Sequence, residues 1–314
     1  MKAVQLIRFE GLGSVEIAEI ETPVVAEKKV LVVVHAAGVN PFDWKLTTGM
    51  MPVDFPFVLG GDFAGVVRET GPGVDGLREG DEVYGTASRF SRGSGSFAEL
   101  ALAAATVIAR KPAELGMLEA GAIPLTGVSA LQALTEHMEL RSGQKILVHG
   151  GAGGIGTAAI QIARHLGARV ATTVRAAQSE YVRAIGADEI IDRESQQFEA
   201  LLHDYDAVFD TVGGETCRRS FRVLKRGGVL VSMVEKFEGE HAGERDVRAI
   251  GQATKVTRKR LEELAGLIDQ GVVAVHIDRV FPLERAAEAL AHLHEGHPRG
   301  KVVLEVGGRQ APRS

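Results

Sequence analysis

Three glycines, Gly151, Gly153 and Gly156, stand in the run Ile146-Leu147-Val148-His149-Gly150-Gly151-Ala152-Gly153-Gly154-Ile155-Gly156, directly after an apolar strand pattern and at the start of a helical one. This is G-x-G-x-x-G in the context that suits a pyrophosphate. The first glycine permits a tight turn, the second lets backbone approach the ligand, and the third lets helix pack on strand. The N–H groups and dipole of the helix opening at Gly154 and Ile155 then face the phosphates. A dinucleotide site is expected on Gly151, Gly153, Gly154, Ile155 and Gly156. Roughly 20 residues on, where an NAD site carries Asp or Glu for the ribose hydroxyls, the chain reads Thr172-Thr173-Val174-Arg175. No carboxylate stands there and a guanidinium suits a 2′-phosphate, so NADPH is expected over NADH, with Thr173 and Arg175 in the site. A solvated arginine after a strand is the plain alternative. Gly213, after a strand ending in Asp210, would let the chain pass close to the cofactor, although a simple turn explains it too.

Other chemistry is sparse. Aromatic residues are 5% of the chain, yet Phe42, Trp44, Phe55, Phe57 and Phe63 fall close together with Met50 and Met51 between them. Core packing accounts for Phe57 and Phe63, whereas Phe42, Trp44, Met50 and Met51 are candidates for an apolar wall suited to a flat substrate. Cys217 is the single cysteine, so there is no internal disulfide and no thiolate metal set. The ten histidines show no H-E-x-x-H spacing, and His292, His294 and His297 read as a solvated helix end. No metal is expected.

The elements that must position these residues follow from periodicity. Between Met1 and about Pro112, short apolar runs (Ala3 to Ile7, Val15 to Ile20, Val30 to His35, Val58 to Val67, Glu82 to Tyr84, Phe97 to Leu102) predict a β-rich barrel or sandwich. After Pro124, strands at Lys145 to His149, Val170 to Val174, Glu189 to Asp192, Asp206 to Asp210 and Val229 to Met233 alternate with helical patterns, as in a doubly wound parallel sheet. Beyond Thr254 come a helix at Arg258 to Asp269, an extended run Val272 to Phe281, a helix Leu283 to His294 and a strand Lys301 to Val306. With 314 residues, 45% apolar, 25% charged and a net charge of −5, a folded α/β protein is expected and a nucleic-acid or anionic-membrane partner is not. The stretch Ile146 to Ala163 lacks charge but holds five glycines, which suits a strand, turn and helix better than a membrane span. A reducing cytoplasm is expected.

The sequence resembles the medium-chain dehydrogenase/reductase superfamily, in its zinc-independent quinone oxidoreductase and zeta-crystallin-like branch. The resemblance rests on Gly38-Val39-Asn40-Pro41-Phe42-Asp43-Trp44-Lys45, Leu59-Gly60-Gly61-Asp62-Phe63-Ala64-Gly65-Val66-Val67, Gly80-Asp81-Glu82-Val83-Tyr84-Gly85, Gly95-Ser96-Phe97-Ala98-Glu99, the glycine turn, Phe209-Asp210-Thr211-Val212-Gly213-Gly214 and Gly300-Lys301-Val302-Val303-Leu304. It implies an α/β chain with a GroES-like β-rich catalytic domain (1–118 and 254–314) around a Rossmann NADP(H)-binding domain (119–253), and a homodimer. Zinc-dependent relatives place a cysteine ligand where this chain has Asn40 and a histidine ligand where it has Gly61, so no zinc is implied. The resemblance places Asn40, Thr126 and Ser129 near the nicotinamide, makes Lys45 a candidate donor to substrate oxygen and Tyr84 a candidate proton donor; a surface lysine, a packed strand tyrosine and helix capping are the plain readings. The implied activity is NADPH-dependent reduction of a quinone or an α,β-unsaturated carbonyl compound. The same scaffold also serves enoyl-thioester reductases of fatty-acid and polyketide pathways, and NADPH-binding proteins without turnover.

Overall fold

The computed structural model describes residues 1–238, 241–242, 246–296 and 298–307. In chain order the elements are β1 (Lys2–Leu6), β2 (Val15–Glu19), β3 (Lys29–Val39), α1 (Pro41–Thr47), β4 (Phe57–Val58), β5 (Asp62–Thr70), β6 (Glu82–Thr86), β7 (Leu100–Ala104), β8 (Ile108–Arg110), α2 (Met117–Ala122) and α3 (Pro124–Leu131). There follow β9 (Lys145–His149), α4 (Gly154–His165), β10 (Arg169–Val174), α5 (Ser179–Ala184), β11 (Glu189–Asp192), α6 (Phe198–Leu201), β12 (Tyr205–Asp210), α7 (Gly214–Ser220), β13 (Leu224–Ser232), β14 (His241–Ala242) and β15 (Val247–Gly251). The chain ends with α8 (Arg258–Asp269), β16 (Ile277–Pro282), α9 (Ala286–Glu295) and β17 (Lys301–Glu305). Among the described residues no helix is long and apolar enough to cross a membrane.

Two compact units result. The first is Met1–Leu125 with Val256–Gln270 and Val275–Ser314; the second is Thr126–Lys255 with Gly271–Ala274. In the first, one sheet runs β16-β17-β3-β5-β6-β8, with β7 also on β3, and a smaller one runs β2-β1-β4. All pairs are antiparallel except β16 with β17. Leu6, Val32, Val34, Phe57, Phe63, Phe97, Ile108 and Leu304 share its core, which places Phe57 and Phe63 where the sequence puts them. In the second, β11-β10-β9-β12-β13-β15 are all parallel and β14 closes the edge antiparallel. Its strands read as continuous apolar runs because helices cover both faces of such a sheet.

Two local readings differ from the sequence expectation, and one helix joins them. The run Val58 to Val67 is two strands, because the chain changes sheet at Gly60, whose φ of +89° and close approach to Phe97 (a Cβ there would stand 2.3 Å from the ring) exclude a side chain. Residues 41–47 form a helix: Pro41 opens it and the Asp43 carboxylate accepts from the Asn40 N–H, which is a capping arrangement of the S/T/D/N-x-x-E type with a shorter acid. The division between the units falls at Leu125, beyond the 118/119 boundary, because α2 packs on β3 through glycines: a Cβ on Gly38 would stand 2.6 Å from the Gly121 carbonyl oxygen.

That carbonyl belongs to helix backbone and cannot swing aside. Gly38→Ala is therefore expected to cost about 1–3 kcal/mol through overpacking, seen as a fall of about 2 to 10 °C in thermal midpoint. An unchanged midpoint would show that α2 moves freely on β3.

Candidate functional site

Sheet register in the first unit brings four polar side chains together in an otherwise apolar place. Antiparallel pairing sets Val302 opposite Val39 and Asp62 opposite Gly38, so Lys301, Asn40 and Asp62 meet where β3 gives way to α1. The Lys301 ammonium donates to the Val39 carbonyl (3.0 Å) and to Asn40 Oδ1 (2.5 Å), and Asn40 Nδ2 donates to Asp62 Oδ2 (2.9 Å). Asp62 Oδ1 accepts from the Leu125 N–H in the first turn of α3 (3.1 Å), and Asp43 Oδ2 accepts from the Asn40 N–H (2.8 Å). Asn40, Asp43, Asp62 and Lys301 are 3%, 3%, 1% and 4% exposed.

The arrangement orients the Asn40 amide without ambiguity. Its oxygen faces a cation and its nitrogen an anion, so exchanging the two would oppose donor to donor and acceptor to acceptor. One Nδ2 hydrogen goes to Asp62. Burial pushes the Asp43 carboxyl up to about 7, against the Asn40 N–H and with the like charge of Asp62 adding to the rise. Burial also pushes Asp62 up to about 6, against the pull of the Lys301 ammonium, and pushes Lys301 down from its ordinary value, against both carboxylates.

The other expected residues of this unit divide. Lys45 is exposed on α1 and, among the described residues, makes no ion pair. Phe42 is half-buried and meets Phe90, which is 45% exposed, edge to face at 5.5 Å between ring centres; Phe90 was not among the expected residues. Met50 is half-exposed and Met51 packs partly on the core. Trp44 stacks one face on the His294 ring at 3.6 Å and 12° and packs partly on the core. Tyr84 is fully buried in β6 and donates to the Leu261 carbonyl of α8, and burial raises its phenol above the ordinary value. It is a packed strand tyrosine rather than a proton donor. Sequence reasoning missed Asp43, Asp62 and Lys301 as site residues; the signal was there, since a lysine between Gly300 and an apolar strand is an uncommon candidate for burial.

In the second unit the glycine turn caps the parallel sheet. Gly150 has φ +73°. A Cβ on Gly156 would stand 2.2 Å from the Gly150 oxygen and one on Gly151 2.0 Å from Thr172 Oγ1, whereas on Gly153 the nearest atom would be 3.4 Å away. The first and third glycines are thus packing requirements, and the second leaves open space over the start of α4, which has Gly153 at its N-cap, no side-chain cap and no acid in its first turn. That end retains uncapped N–H groups for an anion. Thr173 serves the turn from below: its carbonyl accepts from Gly150 and Gly151 (3.2 and 3.4 Å), and its hydroxyl meets His149 Nδ1 at 2.9 Å. His149 Nε2 meets Ser220 Oγ, which itself donates to the Thr216 carbonyl, so the ring carries its hydrogen on Nε2 and takes one from Thr173. Burial holds this imidazole down at about 4, hence neutral. Gly213 (φ +80°) is tied by its N–H to the buried Asp210 carboxylate. Ser129 is buried with its hydroxyl 2.7 Å from Thr254 Oγ1, and Thr126 is buried one helical turn earlier. Arg175, directly after β10, is not simply solvated: its Nε donates to Glu194 Oε1 at 3.0 Å, and among the described residues its terminal nitrogens have no partner.

No group of three or more His, Cys, Asp or Glu among the described residues is placed to hold a metal. His292 pairs with Asp278 at 2.8 Å, His294 is the residue stacked on Trp44, and His297 lies outside the described residues. Cys217 is buried, and burial pushes its thiol up to about 12.

Comparison with known proteins matches the profile "Alcohol dehydrogenase GroES-like domain" to residues 26–113 and "Zinc-binding dehydrogenase" to 185–304. The chain is 34% identical over 313 residues to the NADPH-dependent alkenal/one oxidoreductase, chloroplastic, of Arabidopsis thaliana, covering 94% of this chain and 78% of that protein. It is 32% identical to the chloroplast envelope quinone oxidoreductase homolog of the same plant, covering 97% and 98%. It is also 36% identical to polyketide synthase GfsB of Streptomyces halstedii over 89% of this chain, but spans only 5% of that protein's length. The solved structure of the quinone oxidoreductase from Coxiella burnetii superposes with a TM-score of 0.89 at 32% identity, covering 98% of this chain and 99% of that one.

The buried clamp makes a stability prediction. Lys301→Met leaves Asp62 without its cation and is expected to cost roughly 3–5 kcal/mol at pH 8. The Asp62 pKa in the folded state then rises further above its unfolded value, so the folded chain takes up a proton as pH falls and the deficit shrinks by pH 5. Urea unfolding at the two pH values measures this, and an equal deficit at both would disprove the pairing.

Proposed function

Because the chain belongs to the medium-chain dehydrogenase/reductase superfamily, among the quinone oxidoreductases, we propose that it is an NADPH-dependent, zinc-independent reductase of quinones or α,β-unsaturated carbonyl compounds. The observation that carries this reading is the Asn40 amide, buried and oriented by Lys301 and Asp62, at the position where zinc-dependent members hold a cysteine ligand. A zinc ion does not suit these residues: Asn40 Oδ1 already accepts from Lys301, and Gly61 has no side chain.

NADPH, when bound, supplies the hydride. The glycine turn and the uncapped start of α4 would hold its pyrophosphate, and the free nitrogens of Arg175 its 2′-phosphate. Hydride delivered to the β-carbon of an enone moves the electron pair onto the carbonyl oxygen, and a proton then completes the α-carbon. The free Nδ2 hydrogen of Asn40 is the donor this chain offers to that developing charge. Lys45 remains a candidate donor to the substrate oxygen, and Phe42 with Phe90, Met50 and Met51 would supply an apolar wall. The same reading carries a homodimer in the cytoplasm. A second reading, an enoyl-thioester reductase, is favoured by the likeness to the polyketide synthase; a sensor that binds NADPH without turnover is the reading from another class.

NADPH and NADH oxidation against 1,4-benzoquinone, 9,10-phenanthrenequinone, an alkenal and crotonyl-CoA decides among these. Turnover with NADPH and a quinone or alkenal is expected; preference for crotonyl-CoA selects the thioester reading, and binding without turnover selects the sensor. Asn40→Ala is expected to lower kcat about 100-fold, and an unchanged kcat removes Asn40 from the reaction.

The cofactor has its own prediction. Arg175→Ala should weaken NADPH binding about tenfold or more and leave NADH nearly unchanged, while Glu194→Gln, which removes a negative charge beside the same guanidinium, should tighten NADPH a few-fold. Calorimetric titration of both cofactors checks each; equal loss of the two in Arg175→Ala assigns the 2′-phosphate elsewhere.

A further inference from the structure

A short turn after β6 carries a cation that the reaction described above does not use. Residues Arg89–Ser91 form a single 3-10 turn in which Ser88 Oγ accepts from the Phe90 N–H at 3.3 Å and the Ser88 carbonyl accepts from the Ser91 and Gly93 N–H groups at 2.8 and 2.9 Å. The Lys29 ammonium donates to the Arg92 carbonyl at its far end. The turn so fixed presents two side chains. Phe90 meets Phe42, and also Phe57 at 5.8 Å between ring centres, while the Arg89 guanidinium lies over the Phe57 ring at 5.0 Å. Arg89 is exposed, and among the described residues its side chain makes no hydrogen bond and no ion pair. Arg110 and Arg219, by contrast, meet Asp81 and Glu199.

Two links tie this turn to Asn40. Thr86 is the register partner of Asp62, which receives the Asn40 amide, and a Cβ on Gly61 would stand 3.4 Å from Thr86 Oγ1 and 3.5 Å from Ser88 Cβ. Phe42, the ring that meets Phe90, stands two residues after Asn40 in the first turn of α1. Asn40, Phe42, Phe90, Phe57 and Arg89 thus form one connected series within the first unit. An aromatic ring attracts a guanidinium without consuming its N–H groups, so the planar fork that matches a carboxylate or a phosphate remains available. Beside it the rings suit a flat conjugated body.

We propose that Arg89 is a specificity-determining residue, which selects carbonyl acceptors carrying an anionic oxygen group, a carboxylate or a phosphate, at the end away from the reacting carbons. This rests on the reading that the chain reduces such acceptors with NADPH, and adds to it the charge of the substrate.

Steady-state kinetics of the full chain with NADPH and two matched pairs of acceptors test it. One pair is 4-[(E)-3-oxobut-1-enyl]benzoate and its carboxamide, of nearly equal shape; the other is crotonyl-CoA and the uncharged crotonyl-N-acetylcysteamine. Wild type should favour the charged member of at least one pair about tenfold in kcat/KM, through KM, and the preference should shrink in high salt. Arg89→Gln should lower kcat/KM for that charged acceptor about tenfold more than for its neutral partner, and Arg89→Lys, which keeps the charge without the fork, should fall between; the lysine variant carries the test if the glutamine variant does not fold. A preference confined to the first pair names a carboxylate, and one confined to the second a phosphate. Equal turnover of both members by wild type, a preference kept in Arg89→Gln, or an equal loss for both members overturns the assignment while leaving the reductase standing. Turnover of none of the four removes the underlying reading and the proposal with it.

Discussion

The first unit is organised around one buried ammonium group. Lys301 is 4% exposed, and a lysine taken out of water is tolerated only where anions and carbonyls replace its hydration. Here those groups come from distant parts of the chain: Val39 and Asn40 after β3, Asp62 at the start of β5, and Asp43 in α1 nearby. The C-terminal strand β17 must therefore lie on β3 in one register, since a slip of one residue would turn Lys301 to the other face of the sheet. The same carboxylate that receives Asn40 also receives the first turn of α3, so the amide, the strand register and the helix entry are set together.

This constraint explains why an amide can stand where other members of the superfamily hold a ligand to zinc. A metal fixes its neighbours by coordination; here a cation, an amide and a carboxylate in series fix one another by hydrogen bonds that burial strengthens. The product is an amide whose orientation is set from both sides. The match to a profile described as a zinc-binding dehydrogenase covers residues 185–304 and so includes Lys301 but neither Asn40 nor Asp62.

The second unit follows a parallel logic with neutral groups. The glycine turn is held from beneath by the Thr173 carbonyl and by His149, which burial keeps uncharged and whose two nitrogens are both engaged. Asp210 does the same for the Gly213 turn. Rigid backing of this kind leaves backbone N–H groups pointing outward, as an anion site requires.

Much of this was legible in the sequence, for definite reasons. Apolar runs of period suited to buried parallel strands placed β9 and β11 to the residue, and the glycine turn announced itself because a side chain at Gly151 or Gly156 would collide with its neighbours. Asn40 was marked by its motif, as was Arg175 by the absence of an acid at its strand end. The rest depended on pairs remote in sequence. Nothing local says that Lys301 reaches Asn40, that Glu194 comes back to Arg175, that Tyr84 spends its hydroxyl on Leu261 or that Trp44 lies flat on His294. Local composition and periodicity determine which backbone each segment prefers. Which side chains become partners, and hence which are free to act, is decided only when strand register and helix packing close, because hydrogen bonds and burial depend on distances that the chain order does not contain.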